Sequence, residues 1–307
     1  MKSPIRIGTR DSELALWQAR NVQKRLEDLN LSTVLVPVKS AGDLDLETPL
    51  YELGVTGIFT KALDIALLNK DIDVAVHSMK DVPTLLPKGI LPTAVMERAS
   101  TADVLLHKGL GFLGGKEGIV ATGSLRRRAQ WLHRYPNHEV VGLRGNVNTR
   151  LLKLIESSWN GAVFAQAGLE RIKLLPEEAL PLDWMIPAPA QGAMLVATLE
   201  KNEAVVEATR ALNHQESAIS VQIERDFLRT LEGGCTAPIG ALAIIKDKEI
   251  HFKGCLLSLD GKQRVEVNKT CPLDNPERFG ETCALEVLES GGQSLRDTIR
   301  NDINSIH

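Results

Sequence analysis

Cys235 stands in Leu231-Glu232-Gly233-Gly234-Cys235-Thr236-Ala237-Pro238-Ile239-Gly240, a loop punctuated by glycine and proline between a helical pattern and an apolar run. Two glycines ahead of the thiol let the backbone turn sharply and leave no β-carbon to block approach to the sulfur. Most free cysteines are buried and behave as small hydrophobes. One displayed on a loop points instead to a nucleophile, a metal ligand or a covalent anchor. Cys255, Cys271 and Cys283 lie in apolar strand-like or helical runs and read as core thiols. No CxxC pair and no Cys/His spacing suited to zinc occurs, so no metal site is expected.

Three strand-to-helix junctions share a second kind of chemistry. They are Ile7-Gly8-Thr9-Arg10-Asp11-Ser12, Ala121-Thr122-Gly123-Ser124-Leu125-Arg126-Arg127-Arg128 and Leu143-Arg144-Gly145-Asn146-Val147-Asn148-Thr149-Arg150. Each offers backbone N–H groups at a helix N-terminus, small polar residues and at least one arginine, a set that favours anions. One such loop is ordinarily solvated surface; three make that reading the weaker one. Arginine pairs carboxylates bidentately, which suits a ligand bearing several of them. Neither a Walker A pattern nor a GxGxxG loop is present, so nucleotide phosphates are poor candidates.

An acid completes the set. Val74-Ala75-Val76-His77-Ser78-Met79-Lys80-Asp81-Val82-Pro83 reads as an apolar strand ending in Ser78, Lys80 and Asp81, with Pro83 fixing the turn. A carboxylate at a strand's carboxyl end can stabilise a cation or move a proton. Taken alone, Lys80 and Asp81 read better as a surface pair. His77 reads as a packed strand histidine.

These groups must be held by ordinary globular elements. The chain has 307 residues, 43% hydrophobic and 24% charged, which suits two or three domains. A net charge of -3 gives no sign of a nucleic-acid surface, so positive charge matters only where it clusters, and no run reaches the length and apolarity of a membrane span. The start lacks the apolar core of a signal peptide, so the cytoplasm is the expected location. Through residue 165, strand patterns at 5–8, 33–38, 74–77, 102–106, 118–121, 139–143 and 161–165 alternate with helical patterns at 12–29, 59–69, 125–134 and 147–157. That alternation predicts parallel α/β layers, and Leu14, Trp17, Val22 and Leu26 mark the core face of the first helix. Prolines 181, 187 and 189 read as a hinge. Helical patterns at 217–231 and 276–290 then flank strands at 241–245, 250–257 and 265–271, an α+β arrangement with antiparallel strands. No internal sequence repeat is evident.

Together the stretches GTRDSELALWQA, AVHSMKDVP, GSLRRRAQ, LRGNVNTR, PAQGA and LEGGCTAPIG, in this order from residue 5 onward, resemble the porphobilinogen deaminase (hydroxymethylbilane synthase) family. The resemblance implies two periplasmic-binding-protein-like (type II) α/β domains flanking a cleft and a C-terminal α+β domain with a small antiparallel sheet. The implied boundaries are 1–95 with 192–214, then 96–191, then 215–307. It implies a monomer that condenses four porphobilinogen molecules head to tail, losing ammonia, into hydroxymethylbilane. The implied cofactor is dipyrromethane, joined by a thioether to Cys235, which is then an anchor and needs no histidine base. Asp81 takes the place of the catalytic aspartate. Ser78, Lys80, Thr122, Ser124, Arg126, Arg127, Gly145 and Arg150 fall on cofactor-binding positions, and Arg10, Ser12, Arg144, Arg171 and Gln191 on substrate-binding ones.

Two departures stand out. Glu52 and Thr56 occupy positions where the family's cleft-covering segment commonly has lysines, although Lys61 is retained, and Asn148 stands where glycine is usual. A missing cation weakens carboxylate steering, so Thr56→Lys is expected to lower the apparent Michaelis constant for porphobilinogen more than it changes turnover. Steady-state kinetics check this; an unchanged constant in a folded variant removes position 56 from substrate capture. Two other readings of the same residues are a non-catalytic carboxylate-binding protein and a cysteine-dependent hydrolase. The first has no use for Cys235, and the second lacks a histidine in a matching motif.

Overall fold

A computed structural model describes residues 3–39, 60–115, 117–232 and 237–305. Glu52, Thr56 and Cys235, all singled out above, lie outside the described residues. The described chain divides into two compact units. One holds 3–39, 60–99 and 192–219; the other holds 100–191 and 220–305.

In the first unit β1 (Ile5–Thr9) pairs in parallel with β2 (Thr33–Pro37) and β3 (Val74–Ser78). Strand β10 (Met194–Leu199) then runs antiparallel between β3 and β4 (Ile90–Val95), giving the order β2-β1-β3-β10-β4. Helix α1 (Glu13–Asp28) starts at Ser12, whose hydroxyl accepts from the Ala15 N–H. Such a side-chain cap satisfies one of the donors that a helix start leaves open. Its buried face is Ala15, Gln18, Ala19, Val22 and Leu26. Of the expected face, Val22 and Leu26 are buried, Trp17 is half-buried but packs against the same core cluster, and Leu14 is half-buried. The small alanines let α1 sit close over the sheet, and Gln18 is buried because its amide donates to Ser78 Oγ at 2.9 Å. Helix α2 (Lys61–Leu68) buries Leu63 and Leu67 in a second core cluster with Ile72, Ala75 and Ala197.

The second unit repeats the plan. Here β6 (Ile119–Ala121) pairs in parallel with β7 (Glu139–Val141) and β8 (Gly161–Ala165), and β5 (Asp103–His107) lies antiparallel between β8 and β9 (Leu180–Pro181). The order is β7-β6-β8-β5-β9. Helices α3 (Leu125–Arg134), α4 (Val147–Glu156) and α5 (Gln166–Arg171) follow β6, β7 and β8. The two sheets are therefore the same topology without a sequence repeat, and each is mixed, not parallel throughout. Strand direction was not readable from alternation because the antiparallel member, β10 or β5, enters its sheet just after the chain passes from one unit to the other. Proline 181 belongs to β9, and the passage back to the first unit falls between Gln191 and Gly192.

The remainder of the second unit carries the predicted antiparallel sheet, β11 (Ile239–Lys246), β12 (Glu249–Leu257) and β13 (Arg264–Pro272), packed with α7 (Gln215–Thr230) and α8 (Phe279–Val287). Phe227 and Phe252 anchor this core with ring centroids 5.0 Å apart. Strands β4 and β10 and the helices α5, α6 (Glu203–Arg210) and α9 (Gln293–Ser305) have no counterpart in the sequence reading. For β4 the reason is Pro92, which is tolerated because β4 is an edge strand with a register shift against β10. Among the described residues no helix is long and apolar enough to cross a membrane.

Candidate active site

Because β1 and β3 are parallel neighbours, their carboxyl ends lie side by side. That places the loop carrying Arg10 and Ser12 next to the turn that follows Ser78. The turn is a single 3-10 winding over Met79–Asp81, closed by the Val82 N–H donating to the Met79 carbonyl at 3.1 Å. Met79 and Val82 are buried, so the winding is pinned at both ends and leaves Lys80 and Asp81 half-exposed between them. The pattern apolar-Lys-Asp-apolar thus presents the two charged side chains at a strand's carboxyl end. Ser78 Oγ is bonded to Gln18, a residue the sequence reading did not single out.

His77 lies beneath this loop, 4% exposed. Burial and, second, the positive charge of Arg10 push its imidazole down to about 4. It is a neutral packed residue at physiological pH, and its packing in the strand is as expected.

In the second unit the parallel neighbours β6 and β7 likewise bring two anion loops together. Thr122 Oγ1 accepts from the Ser124 N–H at 3.2 Å, and Ser124 Oγ caps α3 by accepting from the Arg127 N–H at 3.4 Å. A β-carbon at Gly123 would stand 2.5 Å from the Leu143 carbonyl oxygen, so only glycine lets the loops approach this closely. The neighbouring loop turns at Gly145, where φ is +110°, a region open to glycine at little cost. Asn146 caps α4 through the Thr149 N–H at 2.9 Å, and Arg150 Nε donates to the Gly145 carbonyl at 2.7 Å. Arg144 is buried. Burial also pushes the Arg171 guanidinium down to about 10, opposed by the charge of Glu170.

Arg126, Arg127 and Gln191, predicted as ligand-binding residues, converge on one buried protein carboxylate, Asp103. Gln191 is fully buried, its amide also donating to the Thr101 carbonyl at 2.8 Å. Next to it Ala190, at φ +63°, donates its N–H to Glu224 Oε2 at 2.7 Å, and Glu224 Oε1 accepts from the Ala243 N–H at 2.8 Å. Asp103 and Glu224 were both missed. Asp103 is a single acid ahead of the apolar run Val104–Leu106, and Glu224 is one of several charged residues along a helix, so neither is marked out by its neighbours. Cys255 and Cys283 are buried, and burial pushes their thiols up to about 11 and about 12, as befits core residues. Cys271 is half-buried, and burial raises its thiol too. Among the described residues no group of three or more His, Cys, Asp or Glu side chains could hold a metal ion.

The profile of the porphobilinogen deaminase dipyromethane cofactor binding domain matches residues 5–207, and that of the porphobilinogen deaminase C-terminal domain matches residues 218–289. The chain belongs to the porphobilinogen deaminase family. The porphobilinogen deaminase of Carboxydothermus hydrogenoformans is 39% identical over 310 residues, covering 99% of this chain and all of its own. That of Pelotomaculum thermopropionicum is 43% identical over 309 residues, covering 98% and 99%. Among solved structures, a periplasmic substrate-binding protein of an ABC transporter from Coxiella burnetii covers 72% of this chain and 96% of its own, at 13% identity and a TM-score of 0.42. The strand order described above, not that match, carries the fold.

As a porphobilinogen deaminase the chain is a transferase of tetrapyrrole biosynthesis. It condenses four porphobilinogen molecules, with loss of ammonia, into hydroxymethylbilane, and its cofactor is dipyrromethane. Family membership decides against the binding-protein and hydrolase alternatives.

Proposed function

We propose that Asp81 is the catalytic carboxylate, that Cys235 anchors dipyrromethane through a thioether, and that the arginine-bearing loops bind acetate and propionate groups. The observation that carries this reading is the pinned 3-10 winding, which presents Lys80 and Asp81 at the carboxyl end of β3 beside the Arg10 loop.

The donor set suits dipyrromethane, which carries an acetate and a propionate on each ring. The residues proposed to hold those carboxylates are Ser78, Lys80, Thr122, Ser124, Arg126, Arg127, Gly145 and Arg150. Bound there, dipyrromethane supplies a nucleophilic pyrrole carbon. Arg10, Ser12, Arg144, Arg171 and Gln191 serve substrate: the arginines orient porphobilinogen through its carboxylates, and Gln191 contributes from its buried turn. Asp81 has two tasks. It accepts the N–H of a pyrrole as positive charge develops there, and it moves a proton when ammonia leaves.

The same reading takes three domains: 1–95 with 192–214, an α/β domain at 96–191, and a cysteine-bearing domain at 215–307. It takes the protein to act as a cytoplasmic monomer without nucleic-acid partners. Intact mass under denaturing conditions, with peptide mapping around Cys235, tests the anchor. The expected result is an adduct of two linked pyrroles on that thiol. A chain that stays unmodified after incubation with porphobilinogen removes Cys235 from this role.

A further inference from the structure

Asp103 opens β5 and is fully buried. It pairs with Arg126 Nη1 at 2.8 Å and with Arg127 Nη2 at 2.8 Å, and it accepts from Arg127 Nε at 2.9 Å and Gln191 Nε2 at 3.0 Å. Each guanidinium is also tied to a carbonyl: Arg126 Nη1 donates to Ile186 O at 2.8 Å, and Arg127 Nη1 to Val163 O at 2.9 Å. Gln130 holds Ile186 in turn, donating to its carbonyl and accepting its N–H, both at 2.8 Å. Both planes are therefore fixed from two sides.

We propose that Asp103 is a positioning residue of the cofactor site, acting through Arg126 and Arg127 by locking their guanidiniums at the start of α3 and cancelling one of their two charges. This rests on the proposed carboxylate-binding role of those arginines. The charge argument is direct. Two adjacent arginines, each under 8% exposed, repel one another where little water screens them. One ionised carboxylate between them relieves that repulsion and fixes where both guanidiniums sit. Burial alone would raise the Asp103 carboxyl, but the charges of Arg126 and Arg127 outweigh it and hold the group down to about 2. It is therefore ionised throughout the working range. The Gln191 bond extends the same carboxylate to the turn where the chain leaves the unit.

The test uses the full chain, produced in cells that make no porphobilinogen, as wild type, Asp103→Asn and Asp103→Glu. Priming is followed as mass gained on incubation with porphobilinogen, over a range of concentrations. The expected result is a folded Asn variant whose half-saturating porphobilinogen concentration rises at least tenfold, with a maximal rate within about threefold of wild type. The Glu variant, which keeps the charge one methylene further out, is expected to show a rise of about threefold. Unchanged half-saturation in the folded Asn variant overturns the proposal. So does a loss confined to folded yield or maximal rate, the signature of packing alone. If the Asn variant does not fold, the Glu variant decides by the same measure: a rise supports the proposal and no change overturns it. Failure of the wild type itself to gain mass rejects the underlying site, not Asp103.

Discussion

Asp81→Asn is expected to leave the fold intact and reduce hydroxymethylbilane formation by at least about a hundredfold, within the range that a positioned acid–base group contributes. Folding is spared because the winding is held by buried Met79 and Val82 and by the backbone bond between them, none of which involves the Asp81 carboxylate. The Met79 N–H also donates to the Ala193 carbonyl at 3.0 Å, tying the turn to the strand beside it. Asparagine keeps the shape and loses the charge, so it cannot balance a cationic pyrrole. The checks are the urea unfolding midpoint and steady-state turnover on the same preparation. Wild-type turnover in the Asn variant would take Asp81 out of the mechanism.

Acid is expected to destabilise the first unit well above the pH at which carboxylates protonate. Buried His77 titrates at about 4 in the fold against an ordinary value of 6.5. As pH falls below 6.5 the unfolded chain takes a proton that the folded chain refuses, so stability is lost until pH reaches about 4. The linked loss is about 3 kcal/mol. Asp103 contributes in a lower window: its depressed carboxyl stabilises the fold above the ordinary value of 3.8, and this is lost as pH falls towards 2. Urea unfolding at pH 7, 5.5 and 4 measures the first effect. His77→Gln, which cannot titrate, is expected to flatten the decline between pH 6.5 and 4; an equal decline in the variant assigns it to other groups.

Much of the site was legible because its decisive bonds are short in sequence. Ser12, Ser124 and Asn146 cap their helices by accepting from the N–H three residues on, so the loop spacing carries the structure with it. The turn after His77 was readable for the same reason: apolar residues bracket Lys80 and Asp81, and Pro83 ends the run. The family followed from the order of such motifs along one chain.

Other features became visible only in the folded chain. Gln191, which the family resemblance marked as a substrate position, is buried with its amide on a carboxylate 88 positions away, a bond no local pattern announces. Asp103 meets Arg127 across 24 residues, and Glu224 meets Ala190 across 34. The antiparallel setting of β5 and β10, which brings Asp103 to that place in its sheet, is equally absent from local periodicity. By itself the sequence determined the caps, the pinned turn and the family, because hydrogen bonds between residues three or four apart depend on local backbone geometry. Tertiary structure alone decided which charges are cancelled and which imidazole stays neutral, because burial and charge pairing are set by strands and helices that meet from distant parts of the chain.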